Sequence, residues 1–127
     1  MDLVILSDYG LDDAVALAHI LANREKFGRI DVVAVAGNTS AENSLANAKK
    51  LLAQLPGSGV RLVDTTAVQQ PWSHLPSIHG RDGMGDLFAA AEPDVPVIPY
   101  ATWLADAGRP YTLLSLGPCT LTADILG

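Results

Sequence analysis

The chain reads as an open parallel α/β sheet of the Rossmann-like kind, with helices on both faces. Three observations predict this. Short runs of Val, Ile and Leu recur without polar alternation, as expected of strands covered on both sides. Segments with apolar residues at helical spacing separate those runs. Hydrophobic residues make up 49% of the chain and charged residues 17%, a balance suited to one domain over residues 1–127 with a covered sheet. The strand–helix–strand–helix–strand order implies right-handed crossovers between parallel neighbours.

The organising stretch is Leu3 to Leu17, LVILSDYGLDDAVAL. Its first five residues are strand formers. Asp8, Asp12 and Asp13 then fall within six positions around Gly10, and an apolar helix follows. That helix, with Asp12 as its N-cap, is expected to run to about Phe27 and to be buried, being apolar nearly all round. His19 inside it reads as a structural histidine, and Gly28 as the stop signal.

Asp31 to Ala36, DVVAVA, is the second expected strand and ends in Gly37-Asn38-Thr39-Ser40. A helix over roughly Ala41 to Leu55 follows, stopped by Pro56-Gly57-Ser58-Gly59. Val60 to Val63 is a short third strand. Regularity then lapses through a polar loop holding Gln69, Gln70, Pro71, Trp72 and His74. Ile78 to Gly85, IHGRDGMG, carries three glycines in six residues, which lets backbone approach a ligand or simply makes a surface turn. A short helix is expected over Asp86 to Ala91. Pro93 to Pro99 is a loop or edge segment, because proline cannot donate to a ladder. Tyr100 to Ala107 is expected to be helical and Tyr111 to Leu116 to be a fourth strand. Gly117-Pro118-Cys119-Thr120 opens the last helix.

Composition narrows the function classes. Eight basic residues against 14 acidic ones give a net charge of −6, with no Lys/Arg-rich run, so no nucleic-acid surface is expected. No apolar run approaches the ~18 residues of a membrane span, and no secretory leader pattern opens the chain. The one cysteine, Cys119, forms no internal disulfide and suits a reducing compartment. A cytoplasmic protein is expected.

Chemistry concentrates at the expected strand ends. Three crowded carboxylates repel unless something positive sits among them. A helix N-terminus could serve Asp12 and Asp13, at roughly 0.3–1 kcal/mol each, and leaves Asp8 unexplained. A bound cation would account for all three. In an open parallel sheet, ligands bind outside the carboxyl ends of the strands. Asp8, Asn38, the His79 loop and Leu116 all follow expected strands, so they can meet in one crevice.

Three segments carry a family resemblance. SDYGLDDAVAL resembles D-x-D-x-G-x-D-D-A-x-A-L, the N-terminal signature of the inosine/uridine-preferring nucleoside hydrolases, with Leu6 in place of the first aspartate. HGRDGMG resembles the family's H-G-x-D-G-L-G segment, with Met84 for leucine. YTLLSLGPCTLTADIL resembles the strand and G-P-L-T-N-I-A turn, with Leu121 for asparagine. Family members are considerably longer, so the chain is expected to be the N-terminal part of such a domain, truncated.

The resemblance implies Ca²⁺-dependent hydrolysis of the N-glycosidic bond of ribonucleosides, a purine or pyrimidine salvage reaction. Asp8 would be the general base. Asp8, Asp13 and the Leu116 carbonyl would bind Ca²⁺, a hard cation suited to oxygen ligands. Asp12, Asn38 and His79 would bind the nucleoside or ribose. The family's further metal-binding aspartate, adjacent histidine and remaining ribose contacts lie in its C-terminal half. A homo-oligomer or a complementing partner chain is therefore expected.

The alternative is a non-catalytic, truncated or split domain of the same kind that binds ribose or a partner. A phosphatase of the haloacid-dehalogenase kind would place its nucleophile at Leu6, which cannot form an aspartyl phosphate. No G-x-x-x-x-G-K-[ST] phosphate loop is present.

Overall fold

The computed structural model describes residues 1–55, 59–73, 80–81, 83–84, 93–106, 108 and 110–127. Five parallel strands form one sheet: β1 (Leu3–Ser7), β2 (Ile30–Ala34), β3 (Val60–Asp64), β4 (Val97–Pro99) and β5 (Thr112–Ser115). Their spatial order is β4-β3-β2-β1-β5. Helix α1 (Leu11–Ala22) joins β1 to β2, and α2 (Ala41–Gln54) joins β2 to β3. Helix α3 (Tyr100–Ala105) leads from β4 to β5, and α4 (Thr120–Leu126) follows β5.

The two faces of the sheet hold separate apolar layers. Leu3, Ile5, Val32 and Leu62 pack with Leu17 and Leu21 of α1 and with Leu45, Ala48 and Leu51 of α2. Val4, Leu6, Val33 and Val63 pack with Tyr100 and Trp103 of α3 and with Leu121 of α4. Alternate residues of one strand thus serve opposite layers, which explains the unbroken apolar runs. The expected open parallel sheet with helices on both faces is the observed one.

Several local expectations differ from the structure. The strand at 111–116 is the fifth rather than the fourth, because Val97–Pro99 pairs with β3 at the sheet edge. There Pro99 ends the strand on an edge, where its missing N–H removes no central bond. Helix α1 stops at Ala22. Asn23 Nδ2 donates to the His19 carbonyl at 3.0 Å, competing with the helical ladder, and a 3-10 turn over Arg24–Lys26 follows. Gly28 does not end the helix. Its N–H bonds the Met1 carbonyl at 2.7 Å, and a Cβ there would lie 2.6 Å from Asp2 Oδ1. Helix α1 is buried along one side only. Val15 is 72% exposed, since no described element covers that side. His19 is exposed. The expected helix over Asp86 to Ala91 lies outside the described residues.

One buried charge secures the layer beneath α3. Asp31, at the start of β2, takes 2.8 and 2.9 Å bonds from Arg61 Nε and Nη2. Trp103 Nε1 donates to its Oδ2 at 2.8 Å, and Arg29 lies at 3.4 Å. Burial would raise the Asp31 pKa, but these donors and positive charges outweigh it and hold the carboxyl below its usual range.

Candidate active site

The strand order places a crevice between β1 and β5. Successive strands progress outward from β1 through β2 and β3 to β4, and the chain then returns to the other side of β1 as β5. Such a switch point opens a cleft at the carboxyl ends of the strands. Asp8 is the first residue beyond β1 and Leu116 the first beyond β5, and the Leu116 N–H bonds the Leu6 carbonyl at 2.8 Å. Asn38 arrives from the loop after β2, and its N–H donates to Asp8 Oδ2 at 2.9 Å.

The turn between β1 and α1 is held by its own backbone and by the core. Tyr9 takes a left-handed φ of 49°, unusual for a residue with a Cβ. Its ring is fully buried in the layer under α1 and α2, and its N–H bonds Ser7 Oγ at 3.0 Å. Burial, with Asp13 and Asp8 nearby, pushes the Tyr9 phenol pKa well up. That hydroxyl has no hydrogen-bond partner among the described residues. Gly10, not Asp12, is the N-cap of α1. The helix starts two residues earlier than the aspartate pattern suggests, which puts both Asp12 and Asp13 inside the first helical turn. Asp13 Oδ2 reaches back to the Gly10 N–H at 3.4 Å.

Asp8 and Asp13 meet directly. Asp8 is only 6% exposed, and its carboxyl lies beside that of Asp13. Burial is the largest cause raising the Asp13 pKa to about 7, and the neighbouring Asp8 carboxyl adds to it. The Ser7 hydroxyl and the Gly10 N–H pull the other way. Two touching carboxyls need either a shared proton or a cation between them. The donors here are all oxygen, and Leu116 borders the same cleft, so the set fits a hard divalent ion. Among the described residues no cluster of three or more His, Cys, Asp or Glu side chains is arranged to hold a metal. A cation here would therefore draw on the carboxylate pair and on backbone oxygen.

The cleft occupies about 240 Å³ and is bordered by Asp8, Asp12, Asp13, Asn38, Gly83 and Leu116. A wider hollow of about 610 Å³ adjoins it, sharing Asp8, Asn38 and Leu116 and bounded by Pro71, Trp72 and Pro118. Trp72 is 50% exposed there. Five of the six candidate residues, Asp8, Asp12, Asp13, Asn38 and Leu116, thus come together. The sixth, His79, lies outside the described residues. Its loop still reaches the cleft at Gly83, whose φ is +82°. A Cβ on Gly83 would stand 2.7 Å from the Thr39 side chain.

Sequence reasoning missed three residues that support this site: Ser7, whose hydroxyl accepts the Tyr9 N–H, Gly37, and Gln70, whose Oε1 accepts the Ala36 N–H in the loop that carries Asn38. A glycine just past a strand signals a close approach, and Gly37 makes one. A Cβ there would collide with the Asp8 carboxylate and lie 2.9 Å from Asp8 Cβ. Leu6 and Leu121, which depart from the resembled motifs, are both buried in the layer under α3 and α4. No described helix is long and apolar enough to cross a membrane.

Comparison with known proteins bears on the family and the fold. The family model for inosine-uridine preferring nucleoside hydrolase matches residues 3–126. The non-specific ribonucleoside hydrolase RihC of Klebsiella pneumoniae subsp. pneumoniae is 33% identical, over 99% of this chain and 43% of that protein. A Corynebacterium ammoniagenes protein described as uncharacterised, in the ribF 3′ region, is 33% identical over 96 residues, 72% of this chain and all of its own length. In structure, the purine-preferring ribonucleoside hydrolase from Gardnerella vaginalis superimposes with a TM-score of 0.75 at 23% identity, over 99% of this chain and 43% of that one. A plant nucleoside hydrolase, PpNRh1, superimposes at 0.70 with 23% identity, over 98% of this chain and 42% of that one. The chain therefore spans less than half the length of these hydrolases. With the family model matching almost its whole length, it belongs to the inosine-uridine preferring nucleoside hydrolase family.

Proposed function

We propose that this chain supplies the metal- and ribose-binding part of a Ca²⁺-dependent ribonucleoside hydrolase. The observation that carries the reading is the Asp8–Asp13 carboxyl pair in the switch-point cleft, beside Asn38 and Leu116. Asp8, Asp13 and the Leu116 carbonyl would hold the ion. When bound, the ion orients a water and lowers its pKa. Asp8 would accept the proton of the attacking water as general base. The water oxygen bonds to C1′ of the ribose while the bond from C1′ to the base nitrogen breaks. The bonding pair leaves on the base, which takes a proton from solvent or an acid. The sugar passes through an oxocarbenium-like state. Asp12, Asn38 and His79 hold the nucleoside, a carboxylate and an amide being suited to the ribose diol.

A second reading has support in the open side of the cleft. Trp72 and Leu116 stand 50% and 38% exposed, so water is poorly excluded on this side. That defect acts on the transition state more than on ground-state binding. On this reading the chain alone binds ribose weakly and turns over little. Activity then appears when a complementing chain or a longer native chain closes the site. The single exposed Cys119 suits the reducing cytoplasm.

The test is ribose release from inosine and uridine with Ca²⁺, for the chain and its Asp8→Asn form, with and without the complementing half. Turnover that falls by ~10²–10⁴-fold in Asp8→Asn supports the assigned base. Equal turnover in both forms removes Asp8 from that role. Robust turnover by the chain alone ends the second reading.

A further inference from the structure

The loop that carries Asn38 leaves the sheet at Val35, whose N–H still bonds the Ser7 carbonyl at 2.9 Å. Three successive N–H groups then find partners outside the ladder. Ala36 donates to Gln70 Oε1 at 3.0 Å, Gly37 to the Thr39 carbonyl at 2.9 Å, and Asn38 to Asp8 Oδ2 at 2.9 Å. The Gln70 amide is engaged at both ends. Its Nε2 lies 3.1 Å from the Thr65 carbonyl, 3.0 Å from Thr65 Oγ1 and 3.3 Å from the Val68 carbonyl. Thr65 is itself anchored, its hydroxyl donating to the Ala34 carbonyl at 2.6 Å. One half-buried side chain therefore ties the loop after β2 to the loop after β3.

We propose that Gln70 is a positioning residue: its amide clamps these two loops together and so keeps the Asn38 N–H on the Asp8 carboxylate. The link to Asp8 is short. Gly37, one residue beyond the clamped N–H, packs so tightly that a Cβ on it would sit 3.0 Å from Asp8 Cγ. Drift of the loop is therefore felt by the carboxylate at once. An amide is required, because Ala36 needs an acceptor while the Thr65 and Val68 carbonyls need a donor on the same planar group. A carboxylate offers acceptors alone, methionine offers neither, and a protonated carboxyl offers both. The consequence for catalysis rests on the reading of Asp8 as general base; the clamp itself does not.

The experiment is amide hydrogen exchange by NMR on the 127-residue chain. Gln70→Met and Gln70→Glu are compared with wild type, and Gln69→Met serves as control at the exposed neighbour. In both Gln70 variants at neutral pH, the Asn38 N–H should exchange ~10-fold faster, about one hydrogen bond's net worth. The Ile5 and Val33 amides should not change. In Gln70→Glu the ratio to wild type should return toward one below roughly pH 4.3, where the new carboxyl gains a donor. The ratio is read at the Ala36 N–H as well, whose acceptor is the side chain of residue 70 and not Asp8, so that a return toward one at both amides reports the new carboxyl. Faster exchange at Ala36 with Asn38 unmoved overturns the proposal, and so does a Gln70→Glu ratio that is flat with pH. If Gln70→Met does not fold, the pH series of Gln70→Glu decides alone. In ribose release, kcat should fall ~10-fold while KM holds within about twofold, as for loss of an interaction used mainly in the transition state. A wild-type chain that releases no ribose with its complementing half present sinks the hydrolase reading and leaves the exchange result to judge the clamp.

Discussion

Gly37→Ala probes the contact on which the carboxylate site depends. The added methyl group would occupy the space of the Asp8 carboxylate, and it would stand 2.9 Å from Asp8 Cβ and 3.0 Å from Cγ. Asp8 Cβ and Cγ cannot swing clear as the far end of a long chain would. Asp8 is 6% exposed and is held by the Asn38 N–H at 2.9 Å and by Asp13. Either the loop withdraws and lengthens the Asn38 bond, or Asp8 rotates away from Asp13. Overpacking costs about 1–3 kcal/mol, and a hydrogen bond to a charged group is worth about 1.5–3 kcal/mol. Relaxation trades one against the other, so the expected loss is about 2 kcal/mol. At ~3–5 °C per kcal/mol for a domain of this size, Tm should fall by roughly 6–10 °C. Gly108→Ala is the control, since an added Cβ there meets no atom of the described residues within 4 Å. Thermal unfolding by circular dichroism reads both variants, and calorimetric titration with Ca²⁺ reads the site. A Gly37→Ala chain that melts within about 2 °C of wild type and gives the same Ca²⁺ heat would refute this account of the contact.

Three further outcomes are expected. Asp13→Ala should weaken Ca²⁺ binding by on the order of tenfold or more, and equal heats for the two chains would show that the acidic pair is only part of a helix cap. Asp31 has a folded pKa below its unfolded value of about 3.9, so its contribution is present above that pH and is lost as pH falls through the folded value. Stability of the wild type should therefore drop more steeply on acidification than that of Asp31→Asn, and parallel denaturation curves below about pH 4 would exclude the mechanism. The chain should sediment as a homo-oligomer or bind a complementing chain, because half-buried Leu113 and Leu114 lie in the edge strand β5 and apolar sheet edges invite pairing; a monodisperse monomer at high concentration would count against it.

Much of the architecture was legible locally. Leu3–Ser7 and Val60–Asp64 are strands because each is a short apolar run between turn signals, and Ala41–Gln54 is a helix because its leucines recur at helical spacing behind Ser40, whose Oγ accepts the Asn43 N–H at 3.2 Å. The alternation of these patterns implied a parallel sheet, and a parallel sheet implied that Asp8, Asn38 and Leu116 would share one end. What no local pattern carries is which atoms touch there. Asp31 looked like the first residue of an apolar strand, and only Arg61 and Trp103, brought over it from β3 and α3, make it a buried charge centre. Gly10 rather than Asp12 caps α1, so the helix begins two residues earlier, directly after the buried Tyr9. The pairing of Val97–Pro99 with β3 depends on a neighbour more than thirty residues earlier in the chain. The contact of Gly37 with Asp8 and the clamp from Gln70 span loops that follow three different strands. Local propensity is set by a residue's own rotamers and nearest neighbours, so sequence reports it directly. These contacts exist only once separate strands have been brought into register, and that the tertiary structure alone decides.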